Sequence, residues 1–245
     1  MPTTPLYLAD TSQRRFTATV ERSLTDPPRV VLNRTCFYPT GGGQPHDTGG
    51  LHGDGETWQV QNVTGRATIE HVLSPAGSSD PPAKGTTVTG VVDDSRRTGH
   101  ERHHTAQHLL SAVLLSEYNA ETTGNQVYAE RARIDCAYPR FDDNDLTRIE
   151  SRLNEVVDRN LPVRWYELDR DDAERDLDPE RTRIDLLPDS VTDVRIVEIG
   201  DPDDPFDRTA CAGTHVTATG ELGAVELTGR ETKGPDEERA RFRVR

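Results

Sequence analysis

Over residues 1 to about 94, apolar and polar positions alternate in short runs: Phe16-Thr17-Ala18-Thr19-Val20, Arg29-Val30-Val31-Leu32 and Trp58-Gln59-Val60-Gln61-Asn62-Val63. Alternation with period two puts one side of each run into a core and predicts half-buried strands. Asp26-Pro27-Pro28, Gly49-Gly50 and Gly53-Asp54-Gly55 punctuate the runs as turns. Ser74 to Gly85 reads as a surface loop and Thr86 to Val92 as the last strand of this part. Many short strands at this spacing predict a small β-barrel.

Near Asp93 the period changes. Leu109, Leu110, Val113 and Leu114 recur at spacings of three and four, predicting a helix over 100–118 with Ser95 or Thr98 as candidate cap. A strand-like Arg131–Cys136 follows. Asp145 to Arg159 then carries Leu146, Ile149, Leu153, Val156 and Val157 as an amphipathic stripe, ended by Pro162. Val163–Leu168 and Val194–Ile199 read as strands, and Gly220 onward as two more. The fold class is therefore α+β: a β-barrel domain over 1–94 and a second, α+β domain over 95–245. No internal repeat of about 20 to 50 residues is visible.

Composition narrows the setting. The chain has 245 residues, a formal net charge of −14, 32% hydrophobic and 29% charged residues. Lys84 and Lys233 are its only lysines. Acidic excess, scarce lysine and a thin apolar fraction point to a halophilic protein. In about 1 M salt the screening length falls to about 3 Å, so only local basic patches would decide contact with RNA. Three cysteines, Cys36, Cys136 and Cys211, make no disulfide framework. With no secretory leader and no apolar run of about 18 residues, the expected compartment is the reducing cytoplasm, with no membrane partner.

Two segments carry chemistry. His104 and His108 lie four apart, so on a helix they leave from one face. Cys211-Ala212-Gly213-Thr214-His215 adds a thiol and an imidazole, with Gly213 free to turn the backbone so that they converge. Three nitrogens and one sulfur suit one tetrahedral zinc ion. A metalloprotease helix would place Glu directly after its first histidine, where this chain has Thr105. Gln107 either reaches a substrate ester or lies in the helix, and His103 is either a surface residue or a proton-transfer group beside His104.

Arg102-His103-His104-Thr105-Ala106-Gln107-His108-Leu109-Leu110 and Cys211-Ala212-Gly213-Thr214-His215-Val216 resemble the paired zinc motifs of the alanyl-tRNA synthetase editing domain. Phe37-Tyr38-Pro39-Thr40-Gly41-Gly42-Gly43-Gln44-Pro45-His46-Asp47-Thr48-Gly49 resembles the glycine-rich motif of the barrel-like domain that precedes it. The three motifs occur in family order over nearly the whole chain, and the free-standing relatives are the AlaX alanyl-tRNA editing proteins. Ala212 departs from the Gly often found there.

The resemblance implies one Zn2+ held by His104, His108, Cys211 and His215, and zinc-dependent hydrolysis of mischarged Ser-tRNA(Ala), with Gly-tRNA(Ala) as a second substrate. His104, His108 and Gln107 would be catalytic. Thr122 or Thr123 would sense the serine hydroxyl, while Gly41, Gly42, Gly43 and Gln44 would approach the substrate. Arg96, Arg97, Arg102 and Lys233 are expected to contact tRNA(Ala). For the alternating Arg239, Arg241, Arg243 and Arg245, RNA contact and a solvated edge paired with acids stand level. A zinc-stabilised tRNA-binding module without catalysis is the alternative, and monomer or homodimer stays open.

Overall fold

The computed structural model describes residues 2–75, 80–182, 184, 187–188 and 191–245. The chain divides into two compact units, Met1–Gly99 and His100–Arg245. In chain order the first unit holds β1 (Thr4–Pro5), α1 (Leu6–Ala9), β2 (Arg15–Thr25), β3 (Pro28–Leu32), β4 (Arg34–Thr35), β5 (Gly49–Gly53), β6 (Glu56–Thr64), β7 (Glu70–Pro75) and β8 (Thr87–Val92). Six of these strands close a barrel in the order β2-β3-β7-β6-β5-β8, every neighbouring pair antiparallel.

The predicted alternation fills this barrel: Phe16, Ala18 and Val20 of β2 are buried. On β6 the inward set runs Trp58, Val60, then Val63, because the register shifts between Val60 and Asn62. Such a bulge inserts one residue and flips the alternation. Gly49-Gly50 is no turn but the start of β5. Gly49 sits at φ 154°, and a Cβ there would lie 2.1 Å from the Val91 carbonyl oxygen. The glycine permits strand contact, a role that composition alone presents as a turn.

A fully buried ion pair joins Asp47 to Arg97. Asp47 also accepts from the Tyr38 N–H at 2.7 Å, and Arg97 donates to the Thr11 and Cys36 carbonyls at 3.0 and 2.6 Å. The pair thus ties the glycine-rich segment to the start of the long helix.

That helix, α2 (Asp94–Tyr118), begins six residues earlier than its apolar stripe predicts. Its cap is neither Ser95 nor Thr98 but Asp93, whose Oδ1 accepts from the Arg96 N–H at 3.2 Å. The second unit continues with β9 (Thr122–Val127), β10 (Ala132–Cys136), α3 (Asp143–Asp158), β11 (Val163–Asp169), α4 (Arg170–Asp176), β12 (Asp193–Asp201), β13 (Asp204–Ala210), a 3-10 turn (Thr219–Leu222), β14 (Val225–Gly234) and β15 (Glu237–Val244). One sheet has the order β14-β15-β10-β9 and a second the order β11-β12-β13, both antiparallel. A reciprocal capping box between Asp142 and Asp145 opens α3.

Leu109, Leu110, Val113 and Leu114 of α2 share one core with Ile149, Leu153 and Val156 of α3 and with Ile134 and Phe242 of the larger sheet. Residues 103–114 of α2 are buried on every side. Its polar members, His103 to His108 and Ser111, therefore sit where each polar atom needs a partner. Among the described residues no helix is long and apolar enough to cross a membrane.

Candidate metal centre

His104, His108, Cys211 and His215 converge. Their ligating atoms all lie within 4.8 Å of one another. Cys211 Sγ is 3.6 Å from His104 Nε2 and 3.3 Å from His215 Nε2. Ligands at about 2.0–2.3 Å from a tetrahedral zinc are about 3.3–3.8 Å apart, so the two Cys211 contacts match that spacing and the donor set suits the ion in element. The group can hold one metal ion. Cys211 is half-buried and Ala212 exposed, so solvent meets the cluster on the side of this loop.

Three of the four donors are held from behind. Asp207, on β13, accepts from His108 Nδ1 at 2.9 Å and is gripped by Arg181 through two contacts of 2.6 and 2.8 Å. The bond places the His108 proton on Nδ1 and leaves Nε2 for a metal. Thr105 does the same for His215, its Oγ1 lying 3.1 Å from Nδ1. The Cys211 loop is shaped by Arg195, which donates to the carbonyls of Cys211 and Gly213 at 2.7 and 3.1 Å and lies over the Trp165 ring. Gly213 does not adopt a left-handed φ. It is buried at a bend of the loop, and its N–H donates to Cys211 Sγ at 3.3 Å.

The electrostatics follow. Burial opposes the Cys211 thiolate, but the neighbouring charges of His104 and His215 hold the thiol well below its ordinary value. Burial likewise opposes a charged His108, yet its bonds to Asp207 and Cys211 lift it to about 9. Burial pushes His215 down to about 3. Asp207 is held low, despite its burial, by Arg181 and His108. The other two thiols differ: burial pushes Cys36 up to about 11 and Cys136 to about 12, which makes them packing residues.

The remaining sequence candidates scatter. Gln107 is buried, and its Oε1 has no hydrogen-bond partner among the described residues. Thr122 Oγ1 lies 2.6 Å from Ser111 Oγ on α2, one turn beyond His108, whereas Thr123 bonds Glu237 at 3.0 Å. His103 is not a surface group: it is buried, and its Nε2 accepts from the Val244 N–H at 3.2 Å. Gly41, Gly42 and Gly43 lie at a turn closed by Gly41–Gln44 bonds of 3.0 and 2.9 Å, with Gly42 and Gly43 at φ 56° and 78°, a conformation that favours glycine. Gln44 is buried beneath that turn.

Arg97, expected at an RNA surface, is fully buried against Asp47 and reaches no phosphate. Arg96 donates to the His46 carbonyl at 3.1 and 3.0 Å, and Arg102 to those of Leu222 and Arg245. Lys233 is exposed. The alternating arginines of β15, and Arg245 just after it, meet acids, Arg239 with Asp135, Arg241 with Glu231, Arg243 and Arg245 with Glu226, which favours the solvated edge. Asp207, Thr105, Arg195 and Arg181 were missed. The run Asp201–Asp207 reads as an acidic loop, but most of it belongs to the β12–β13 hairpin. The spacing Asp207-x3-Cys211-x3-His215 was the available signal.

Residues 7–96 match the family described as tRNA synthetases class II (A), and residues 194–239 match the threonyl and alanyl tRNA synthetase second additional domain. The chain is 36% identical to alanyl-tRNA editing protein AlaX-M of Methanosarcina acetivorans over 242 residues, 97% of each chain. Against the protein of the same name from Methanosarcina barkeri it is 36% identical over 243 residues, 98% of each. It is also 36% identical to alanine–tRNA ligase of Pyrococcus furiosus over 234 residues, which is 94% of this chain and 24% of that ligase.

Proposed function

Because this chain belongs to the family of AlaX-M alanyl-tRNA editing proteins, we propose that it hydrolyses the ester of mischarged Ser-tRNA(Ala), with Gly-tRNA(Ala) as a second substrate. The observation that carries the reading is the four-donor cluster of His104, His108, Cys211 and His215. We assign zinc to it on the donor set. When bound, zinc supplies Lewis acidity for an ester carbonyl and its attacking water.

The chain's own groups do the rest. Asp207 and Thr105 hold His108 and His215 with Nε2 turned to the centre. Gln107 leaves the same helix beside them. Removing serine while sparing alanine means reading one hydroxyl. An apolar pocket separates such isosteres by only about a hundredfold, so a hydrogen-bonding group is required. We assign that task to Thr122, whose hydroxyl joins Ser111 along the stripe that carries His104 and His108, and not to Thr123, which bonds Glu237. Contact with tRNA is assigned to the exposed Gly41–Gly42 backbone and to Lys233. The acidic composition supports work in concentrated salt, in the cytoplasm.

A second reading, a zinc-stabilised tRNA-binding module, draws on one observation: four protein donors close a tetrahedral site, as structural sites do. One assay separates the two. Seryl-, glycyl- and alanyl-tRNA(Ala) are incubated with the protein in high KCl, with and without chelator. Loss of the seryl ester, spared alanyl ester and arrest by chelator support the deacylase. Retention of tRNA without hydrolysis supports the module.

A further inference from the structure

The Gln107 side chain on α2 ends in an acceptor that the fold leaves unused. Gln107 is 5% exposed, and its Oε1 has no hydrogen-bond partner among the described residues. Native interiors seldom leave a buried carbonyl alone, and an orphan of this kind calls for an explanation. Ser111, one turn further along the same face, is occupied by Thr122. At about 100° per helical residue, Gln107 leaves α2 about 60° from His104, and Ser111 about 20° from it. The unused oxygen therefore flanks the ligand stripe.

We propose that Gln107 Oε1 accepts an N–H of the substrate's α-ammonium group, making Gln107 a substrate-binding residue selective for esters with a free amine; this rests on the deacylase reading above. The acyl group of a seryl ester offers two kinds of donor, the side-chain hydroxyl and the ammonium. A hydroxyl gives and receives, and the Ser111–Thr122 pair matches it. An ammonium only gives, and needs an acceptor close to the carbonyl carbon, since it is attached to the next atom. An amide oxygen meets that need without a fixed charge next to the metal ligands. The same contact disfavours N-acylated esters, whose nitrogen is neutral and carries a bulky group.

The test is a cycle of two proteins and two esters. The unaltered protein and Gln107→Leu are compared on seryl-tRNA(Ala) and on its 3-hydroxypropionyl counterpart, which keeps the side-chain hydroxyl and lacks the amine. Gln107→Leu is expected to lose about 10- to 100-fold in kcat/KM on the seryl ester, the range of a hydrogen bond to a charged group, and to lose little on the deaminated one. Gln107→Glu, which keeps the acceptor, retains the preference for the amine. Metal content stays the same and the Tm of Gln107→Leu holds or rises, because an unpaired polar atom is removed. Equal losses on both esters, or a lower Tm or metal content, overturn the inference and make Gln107 a packing residue. If the unaltered protein fails on the seryl ester, the deacylase reading falls first and this inference with it.

Discussion

Each unit of the chain contains a buried aspartate–arginine pair, and the two do different work. Asp47 and Arg97 spend their remaining bonds on peptide groups of Tyr38, Thr11 and Cys36. Asp207, held by Arg181, spends its remaining bond on the imidazole of His108, one of the four donors that could hold a metal ion. A buried ion pair by itself is weak evidence for stability or for chemistry, since desolvation cancels much of the attraction. The third partner tells them apart: backbone means shape, an imidazole means a tuned ligand.

Breaking each pair tests the contrast. Asp47→Ala strands a guanidinium with 0% exposure. It should cost about 3–5 kcal/mol in urea unfolding, with metal content of the folded protein unchanged. Asp207→Asn should lower metal affinity about 10- to 100-fold in competition with a chelator, the usual effect of losing a carboxylate behind a ligating histidine. Equal effects of both substitutions on metal affinity would erase the distinction.

Titration sharpens it. The His108 imidazole is raised from 6.5 to about 9, so in metal-free protein it binds its proton more tightly folded than unfolded. That stabilisation is complete below about pH 6.5 and is lost as pH rises through about 9. Chelator-treated protein should therefore lose more stability between pH 7 and 9 than chelator-treated Asp207→Asn, in which the Asp207 bond to His108 is gone. The smallest effect is expected at the surface: Arg243→Gln breaks the exposed pair with Glu226 and should leave the Tm without a resolvable shift.

Much of this was legible in the chain. The i, i+4 spacing of His104 and His108 needs only a helix, and the alternation of Phe16, Ala18 and Val20 needs only a strand. What could not be read locally depends on pairing across distance. Asp207 is 99 positions from His108, and Arg195 acts through carbonyls of a loop 16 and 18 positions away. The start of α2 was hidden because its first turns are polar and mostly exposed, with Arg97 buried against Asp47. Gly49-Gly50 misled because glycine marks close strand contact as readily as a turn.

The four donors come from two places, a single helix and a loop with 107 positions between His104 and Cys211. An ion that bridges them is a cross-link present only in the folded chain. Such a cross-link strengthens with supply, adding about 1.4 kcal/mol of resistance to unfolding for each tenfold rise in free metal above its dissociation constant. Scarcity of the ion would then shorten the protein's survival against proteases.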